Sequence, residues 1–313
     1  SAIWGAVLLR CECCGVGGRI SRMRCQPDRD VECCGRQRQH LVQPWAVPAS
    51  WGHRALPLLG PEVRRGAADD PRYRPCQRIV ARTARGLPLS PHLSRRAAFD
   101  ALIATGPVLI DGGLATHLEA LGADISGPLW SARVLADHPE VLVDAHADFI
   151  DAGARVVISA SYQVSRGGFV AQGRSAAQAD VALRRSVEVA REAVHRRGAD
   201  ASGVLVAASV GPYGAITHDG GEYRGRYGLT HEELVDFHGE RIEILAEADP
   251  DLLAVETIPD ADEAAAIAEV LVDYPDLPAW MTFSCGDERT TWAGQPISEA
   301  VRAAVCAPSV TAI

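Results

Sequence analysis

Five short apolar runs recur between residues 108 and 285, and each ends in small or polar residues before an amphipathic segment begins. The runs are Val108–Gly113, Val156–Gln163, Val204–Gly211, Leu252–Thr257 and Ala279–Cys285. A β-branched apolar run that is buried on both faces is typical of a parallel strand. Such a strand needs a long crossover, usually a helix, to reach its parallel neighbour. The repeat therefore predicts an α/β fold built on a parallel sheet.

The residues that end these runs are the candidates for chemistry, because ligands in such folds bind just beyond the carboxyl ends of the strands. The candidates are Asp111, Gly112 and Gly113 after the first run, Ser161, Tyr162 and Gln163 after the second, Ser209, Val210, Gly211 and Pro212 after the third, and Glu256 and Thr257 after the fourth.

Polar capping patterns mark where several of the intervening helices begin. Helices are also predicted over Arg95–Thr105 and Pro139–Gly153. His146 and His238 fall in predicted outer helices, and we expect both to be hydrogen-bonded structural residues rather than ligands. The capping pairs are Ser175 with Gln178, Thr230 with Glu233, and Asp260 with Glu263.

The number of strand–helix units distinguishes two architectures. Five units are visible, and Ser309–Ile313 resembles the start of a sixth strand. A closed barrel of eight units takes about 250 residues. An open doubly wound sheet is the alternative, although the chain contains neither a G-x-G-x-x-G turn nor a P-loop.

Residues 1–97 differ from the remainder and are predicted to be a disordered leader, since prolines interrupt any helical or strand periodicity. The first 100 residues carry 17 arginines and 8 acidic residues, whereas the remaining 213 carry 14 arginines and 32 acidic residues. Seven of the nine cysteines precede residue 77, but their spacing matches no usual zinc pattern. A metal-binding or nucleic-acid-binding leader is the alternative.

The apolar runs are too short to span a bilayer, and the first residues lack the basic segment of a signal peptide. A reducing, cytoplasmic location is therefore expected, with neither a membrane nor a nucleic acid as partner.

Seven ordered motifs within residues 98–313 resemble the homocysteine S-methyltransferase family, particularly the enzymes that use S-methylmethionine or S-adenosylmethionine as donor. The motifs are IDGGLATHLEALG (110–122), PLWSARVL (128–135), SASYQ (159–163), ASVGPYGA (208–215), GEYRGRYGLT (221–230), DLLAVETIP (251–259) and PAWMTF (278–283).

The resemblance implies a TIM-type (β/α)8 barrel, of which residues 98–313 would form five units and the start of strand six. It implies that homocysteine binds at the carboxyl ends of the strands, with Asp111 in the site and Glu256 against the amino group. Gly112, Gly113, Ser161, Tyr162, Gln163 and Thr257 are expected to line the same substrate site. The implied reaction transfers a methyl group from a sulfonium donor to the homocysteine thiol and yields methionine, a step of methionine biosynthesis.

The resemblance also implies a zinc ion that activates this thiol. Its three cysteine ligands would come from a G-[VI]-N-C segment after strand six and a later G-G-C-C segment. Neither segment occurs before Ile313, and Cys285 and Cys306 match no ligand position. No metal or catalytic residue is therefore assigned here, and the chain is expected to be a C-terminally truncated member of the family. A non-catalytic fragment or pseudo-enzyme is the alternative.

We predict that the purified 313-residue chain forms no methionine from homocysteine and a sulfonium donor, because it lacks the implied thiolate cage for zinc. Metal analysis and an assay of methionine formation test this prediction. Measurable turnover would contradict it.

Overall fold

The computed structural model describes residues 93–125 and 130–313. The disordered leader and the cysteine spacing predicted upstream lie outside these residues, apart from the last positions before residue 98. Within the described part, five parallel strands form one sheet in the order β1-β2-β3-β4-β5. The strands are β1 (Val156–Ile158), β2 (Leu205–Val210), β3 (Leu252–Ile258), β4 (Ala279–Phe283) and β5 (Val310–Ala312).

Four of the five predicted runs contain these strands, and β5 confirms the strand predicted from Ser309. The first run is different, because it makes one isolated parallel bridge, between Ile110 and Val156. Its backbone still runs beside β1, since the N–H of Asp111 donates to Val156 O at 3.1 Å. The second run was predicted too long: β1 ends at Ile158, and the residues up to Gln163 form turns.

Helices precede and connect the strands, as the repeat predicts. Between residues 130 and 313, three short 3-10 segments lie in the loops at Gly198–Ala201, Tyr213–Ile216 and Gly221–Tyr223. The α-helices are α1 (Leu93–Ala104), α2 (Leu114–Ala120), α3 (Trp130–Asp137), α4 (Pro139–Asp151), α5 (Arg166–Ala171), α6 (Ala176–Arg197), α7 (His231–Glu247), α8 (Ala261–Leu271) and α9 (Ile297–Ala304).

Two of the three capping patterns close as complete boxes. The side chains of Ser175 and Thr230 each accept the backbone N–H of the residue three positions later. In return, the side chains of Gln178 and Glu233 accept the backbone N–H of Ser175 and Thr230, respectively. Asp260 caps α8 by accepting the N–H of Asp262 instead. The pairing predicted with Glu263 is wrong, because that side chain is fully buried and bonds the loop after β2.

The main core lies between one face of the sheet and the connecting helices. Val206, Ala208 and Val210 of β2 point into it, as do Leu253 and Val255 of β3. Because side chains alternate along a strand, the intervening residues of β2 and β3 must occupy the opposite face.

Helix α1 covers that opposite face. Phe99 is 3% exposed and packs with Leu205, Ala207, Leu252 and Ala254 in a second apolar cluster. The helix predicted to lead into the first strand therefore covers this second face of the sheet. This packing covers the lower part of the face and leaves the side chains at the carboxyl ends of the strands for the site described below.

The architecture is thus α/β with a parallel sheet in sequential order, and closure into a barrel remains a prediction. Sequential order is expected for a barrel, whereas a doubly wound sheet reverses order at a switch point. None of the helices within residues 93–125 and 130–313 has the length and apolar character required to span a membrane.

We predict that Phe99→Ala lowers the free energy of unfolding by about 3 kcal/mol, because it leaves a cavity between α1 and the sheet. Urea denaturation measures this change. Val181→Ala is the control: Val181 is 64% exposed on α6, and its truncation should change stability by less than about 0.5 kcal/mol. Equal effects of the two variants would refute the packing of α1.

Candidate functional site

Two acidic side chains meet at the carboxyl edge of the sheet. Asp111 follows the Ile110 bridge, and Glu256 lies near the end of β3 on the face that α1 covers lower down. The Glu256 carboxylate acts electrostatically on Asp111. Within the described residues, neither carboxyl forms an ion pair with an arginine, and the sequence contains no lysine. The two groups therefore form an acidic site without an internal cation.

Asp111 is buried and only partly hydrogen-bonded. Its Oδ2 accepts the backbone N–H of Ile158 at 2.7 Å, which fixes the carboxyl against the end of β1. Its Oδ1 is buried without a hydrogen-bond partner in the described part of the chain. Burial, together with the nearby Glu256 charge, raises the pKa of Asp111 well above its ordinary value.

Glu256 has one side-chain partner, Ser209, whose Oγ donates to Oε2 at 2.9 Å. Burial raises the pKa of Glu256 to about 7, and the Ser209 hydrogen bond offsets only part of this effect. The carboxyl is therefore about half protonated at neutral pH, and a cationic ligand beside it would favour the ionised form.

Strand β3 is distorted next to Glu256. The pairing register between β3 and β4 shifts between Val255 and Ile258, and Thr257 has a φ of 62°. A β-branched residue in the left-handed region is strained, and such strain is concentrated at functional sites. Hydrogen bonds with Thr282 and Ser284 hold the Thr257 backbone in this conformation.

The residues after β1 contribute unequally to the site. Tyr162 is half-buried with its side chain near that of Thr257, and burial raises the phenol pKa. Gln163 is half-buried, and its Oε1 has no hydrogen-bond partner in the described residues. Ser161 is fully buried, and its hydroxyl donates to Ser209 O at 2.7 Å. The Ser161 hydroxyl therefore positions Ser209 rather than facing the site itself.

Gly112 and Gly113 are exposed beside Asp111. A Cβ on Gly112 would lie 3.3 Å from the Phe149 ring, so a side chain there would crowd the turn. The two glycines thus keep backbone groups accessible at the edge where Asp111 and Glu256 meet, in agreement with their predicted position.

Arg241 of α7 is the largest contribution that the sequence prediction missed. Its side chain is fully buried. Its Nε donates to Val164 O at 2.9 Å, its Nη1 to Gly211 O at 2.8 Å, and its Nη2 to Tyr162 O at 2.9 Å and Ser161 O at 3.3 Å. One guanidinium therefore joins the loops that follow β1 and β2.

Two further contacts hold these loops and the Arg241 side chain together. The guanidinium carbon lies 5.2 Å from the centroid of the Phe237 ring, within range of a cation–π interaction. A Cβ on Gly211 would lie 2.5 Å from Tyr162 O, so only glycine allows the two loops to approach this closely. Burial lowers the pKa of Arg241 to about 10, which still leaves it charged at neutral pH.

The two histidines of the outer helices differ from each other. His238 is buried, and its Nε2 lies 2.9 Å from Glu263 Oε1, as expected for a structural residue. His146 is equally buried, but neither of its ring nitrogens has a hydrogen-bond partner in the described residues. The prediction of a hydrogen-bonded structural role is therefore wrong for His146, whose Nδ1 lies 4.0 Å from Asp111 Oδ2.

The residues at this edge do not fit a zinc ion. The described residues contain no group of three or more histidine, cysteine and acidic side chains arranged to hold a metal. Cys285 is a free, exposed cysteine just after β4. Burial of its thiol and the nearby Asp287 charge raise its pKa, whereas a zinc-binding thiol is deprotonated.

Comparison with known proteins identifies the family. The model of the homocysteine S-methyltransferase family matches residues 108–313. Homocysteine S-methyltransferase 1 of Zea mays is 43% identical over 210 residues, which are 64% of this chain and 65% of the maize protein. The homocysteine S-methyltransferase of Escherichia coli is 43% identical over 209 residues, 66% of this chain and 67% of the relative. This chain thus spans about two thirds of the length of these relatives.

A solved structure supports the same fold. The metallated form of the homocysteine methyltransferase MmuM from Escherichia coli superposes with a TM-score of 0.65 and 41% sequence identity. The superposition covers 68% of this chain and 75% of that structure. A selenocysteine Se-methyltransferase of Brassica oleracea is also similar, at 41% identity over 222 residues, 66% of this chain and 64% of that protein.

We predict that Arg241→Met lowers the free energy of unfolding by about 3 kcal/mol or more, because four carbonyl groups lose the hydrogen bonds of the buried guanidinium. Arg241→Lys should recover only part of this loss, since an ammonium cannot reproduce the planar fork. Denaturant unfolding measures both variants. Arg184→Met is the matched control: it removes an exposed ion pair with Glu247 and should cost less than about 1 kcal/mol.

Proposed function

This chain belongs to the homocysteine S-methyltransferase family, whose model covers residues 108–313, and we propose that Asp111 and Glu256 bind the amino group of homocysteine. The homocysteine thiol would then accept a methyl group from a sulfonium donor, S-methylmethionine or S-adenosylmethionine, to give methionine. The reaction would take place in the cytoplasm, where thiols remain reduced.

The observation that carries this proposal is a pair of carboxyl groups that has no arginine partner among the described residues. The ionised form of a buried carboxyl is costly unless a partner stabilises it. An α-ammonium group supplies both a positive charge and three N–H donors, enough for the free Oδ1 of Asp111 and the carboxylate of Glu256. The amino group of an amino-acid substrate therefore fits the chemistry of this edge.

The remaining predicted residues would form the wall around the substrate. Gly112 and Gly113 would offer backbone groups beside the ammonium, while Tyr162 and Thr257 would lie along the adjacent side. Gln163 adds a buried carbonyl oxygen without a partner in the described residues. The Ser161 hydroxyl instead donates to the backbone at Ser209, the residue that holds Glu256.

Methyl transfer needs the thiolate of homocysteine, since a free thiol has a pKa of about 8.5 and its neutral form is a poor nucleophile. The thiolate sulfur forms a bond to the methyl carbon as the carbon–sulfonium bond breaks. The bonding pair stays on the donor sulfur, which becomes a neutral thioether, and the thiol proton passes to solvent. The described residues do not fit a thiol-activating zinc ion, and their proposed contribution is to bind and orient the amino-acid end of the substrate.

We predict that homocysteine affinity rises with pH through about 7. In the free protein Glu256 is protonated below this pH, and burial also holds the pKa of Asp111 well above its ordinary value; a protonated carboxyl offers no charge to an ammonium group. The dissociation constant should therefore fall by up to about tenfold per unit as the pH rises toward 7, then level off. Isothermal titration calorimetry between about pH 5.5 and about pH 7.5 measures it, below the ionisation of the substrate thiol.

Glu256→Gln should weaken homocysteine binding at least about tenfold and leave only the pH dependence that Asp111 contributes. It should hardly affect 4-mercaptobutanoate, which has the same thiol and carboxylate but no amino group. Glu288→Gln, an exposed change in the loop after β4, is the control and should leave both ligands unaffected. If wild-type protein binds the two ligands equally well, the assignment of the carboxyl pair is refuted.

A further inference from the structure

His146 is a buried imidazole directly behind the candidate site. It lies in the middle of α4 with no exposed surface, on the side of the helix that faces the sheet. Its Nδ1 is 4.0 Å from Oδ2 of Asp111. Both ring nitrogens, and Oδ1 of the same carboxyl, are without hydrogen-bond partners in the described part of the chain.

Unpaired buried polar atoms are rare in folded proteins, and each costs about 1–3 kcal/mol. A leucine would fill the same space on α4 without this cost. Polar atoms left unpaired in the free protein are explained if they gain a partner in another state of the protein. The nearest titratable group to the ring is Asp111, one of the two proposed ammonium ligands.

The other acidic groups on α4 pair with residues other than His146. On α4 itself, Asp148 lies 2.9 Å from His117, and Asp144 lies 3.5 Å from Arg196 of α6; both acids are exposed. Glu256 acts on His146 only through Asp111, whose pKa it raises. Burial lowers the pKa of His146 to about 4, so its ring is neutral at pH 7 and has one N–H donor. The remaining charged residues of α2, α3, α4 and α6 are exposed or half-buried, and β1 contains none.

We propose that His146 is a positioning residue for Asp111: when an ammonium group binds, the imidazole Nδ1–H donates to the Asp111 carboxylate from behind. This inference rests on the proposed function, because it needs Asp111 to ionise on binding the substrate. The present separation is too long for a hydrogen bond, and hydrogen bonds in a site without ligand often shorten only when the ligand is bound. A donor at this position stabilises the charged form of Asp111 and directs its free Oδ1 toward the ligand.

Two substitutions of His146 that have the same shape as each other, but differ in polarity, test this role. Asparagine and leucine have the same branching, and an asparagine amide at position 146 places an N–H close to the position of Nδ1. His146→Leu should weaken homocysteine binding about tenfold and move the pH midpoint of binding upward. His146→Asn should remain within about threefold of wild type. His117→Leu, which removes the half-buried histidine of α2, is the control and should bind like wild type.

Thermal unfolding without ligand separates positioning from structural support. His146→Leu removes two unpaired polar atoms, so its midpoint should equal or exceed that of wild type. A His146→Leu protein that is unfolded, or that binds homocysteine with wild-type affinity and pH midpoint, would overturn the inference. If wild-type protein itself fails to bind homocysteine, the proposed function fails first, so the two failures are distinguishable.

The wild-type protein offers a second measurement that needs no variant. Long-range 1H–15N NMR spectra of the imidazole identify which nitrogen carries the proton. Addition of homocysteine should give a protonated Nδ1 at His146 with a downfield proton resonance, and 4-mercaptobutanoate should not. A ring protonated only at Nε2 in the homocysteine complex would overturn the inference.

Discussion

The buried guanidinium of Arg241 is the interaction on which the geometry of the site depends. In this chain the loops after β1 and β2 direct four backbone carbonyl groups toward one another. A planar fork with five N–H donors can satisfy all four at once. The loop that carries Ser161 and Tyr162 is thereby fixed relative to Gly211, and the adjacent Ser209 is held where its hydroxyl reaches Glu256.

Much of the fold follows from the sequence, because the alternation of apolar runs and capped helices has one simple solution in three dimensions. Strands β2, β3 and β4 lie within the predicted runs with changes of one or two residues at their ends. The run at Val108 pairs with β1 only through the Ile110 bridge, and periodicity alone does not indicate how far an edge segment pairs. The inner-face position of Phe99 was also hidden, because an amphipathic helix does not indicate which surface it covers.

The candidate site was only partly predictable, for a related reason. Asp111 and Glu256 stand out because acidic residues end apolar runs. Arg241 and His146 instead lie in helices where, apart from the buried His238, the other charged residues are exposed or half-buried. The helical spacing does place both residues on apolar helix faces. Arg241 lies one turn from Phe237 on one side and from Leu245 on the other. His146 lies one turn from Leu142 and from Ile150 in the same way. Periodicity can identify such residues as buried, but their partners come from loops that are distant in sequence.

A third acidic residue shows that the fold can satisfy a buried carboxylate when the role is structural. Glu263 has no exposed surface; it accepts the backbone N–H of Tyr213 at 2.6 Å and lies 2.9 Å from His238 Nε2 and 3.3 Å from the Tyr227 hydroxyl. Asp111, with the same class of neighbour in His146, has no comparable set of partners. The difference is one of alignment rather than of residue type, since each acid faces a buried histidine. Incomplete hydrogen bonding at Asp111 is therefore a local property of the carboxyl edge, which is where a ligand with its own donors would complete it.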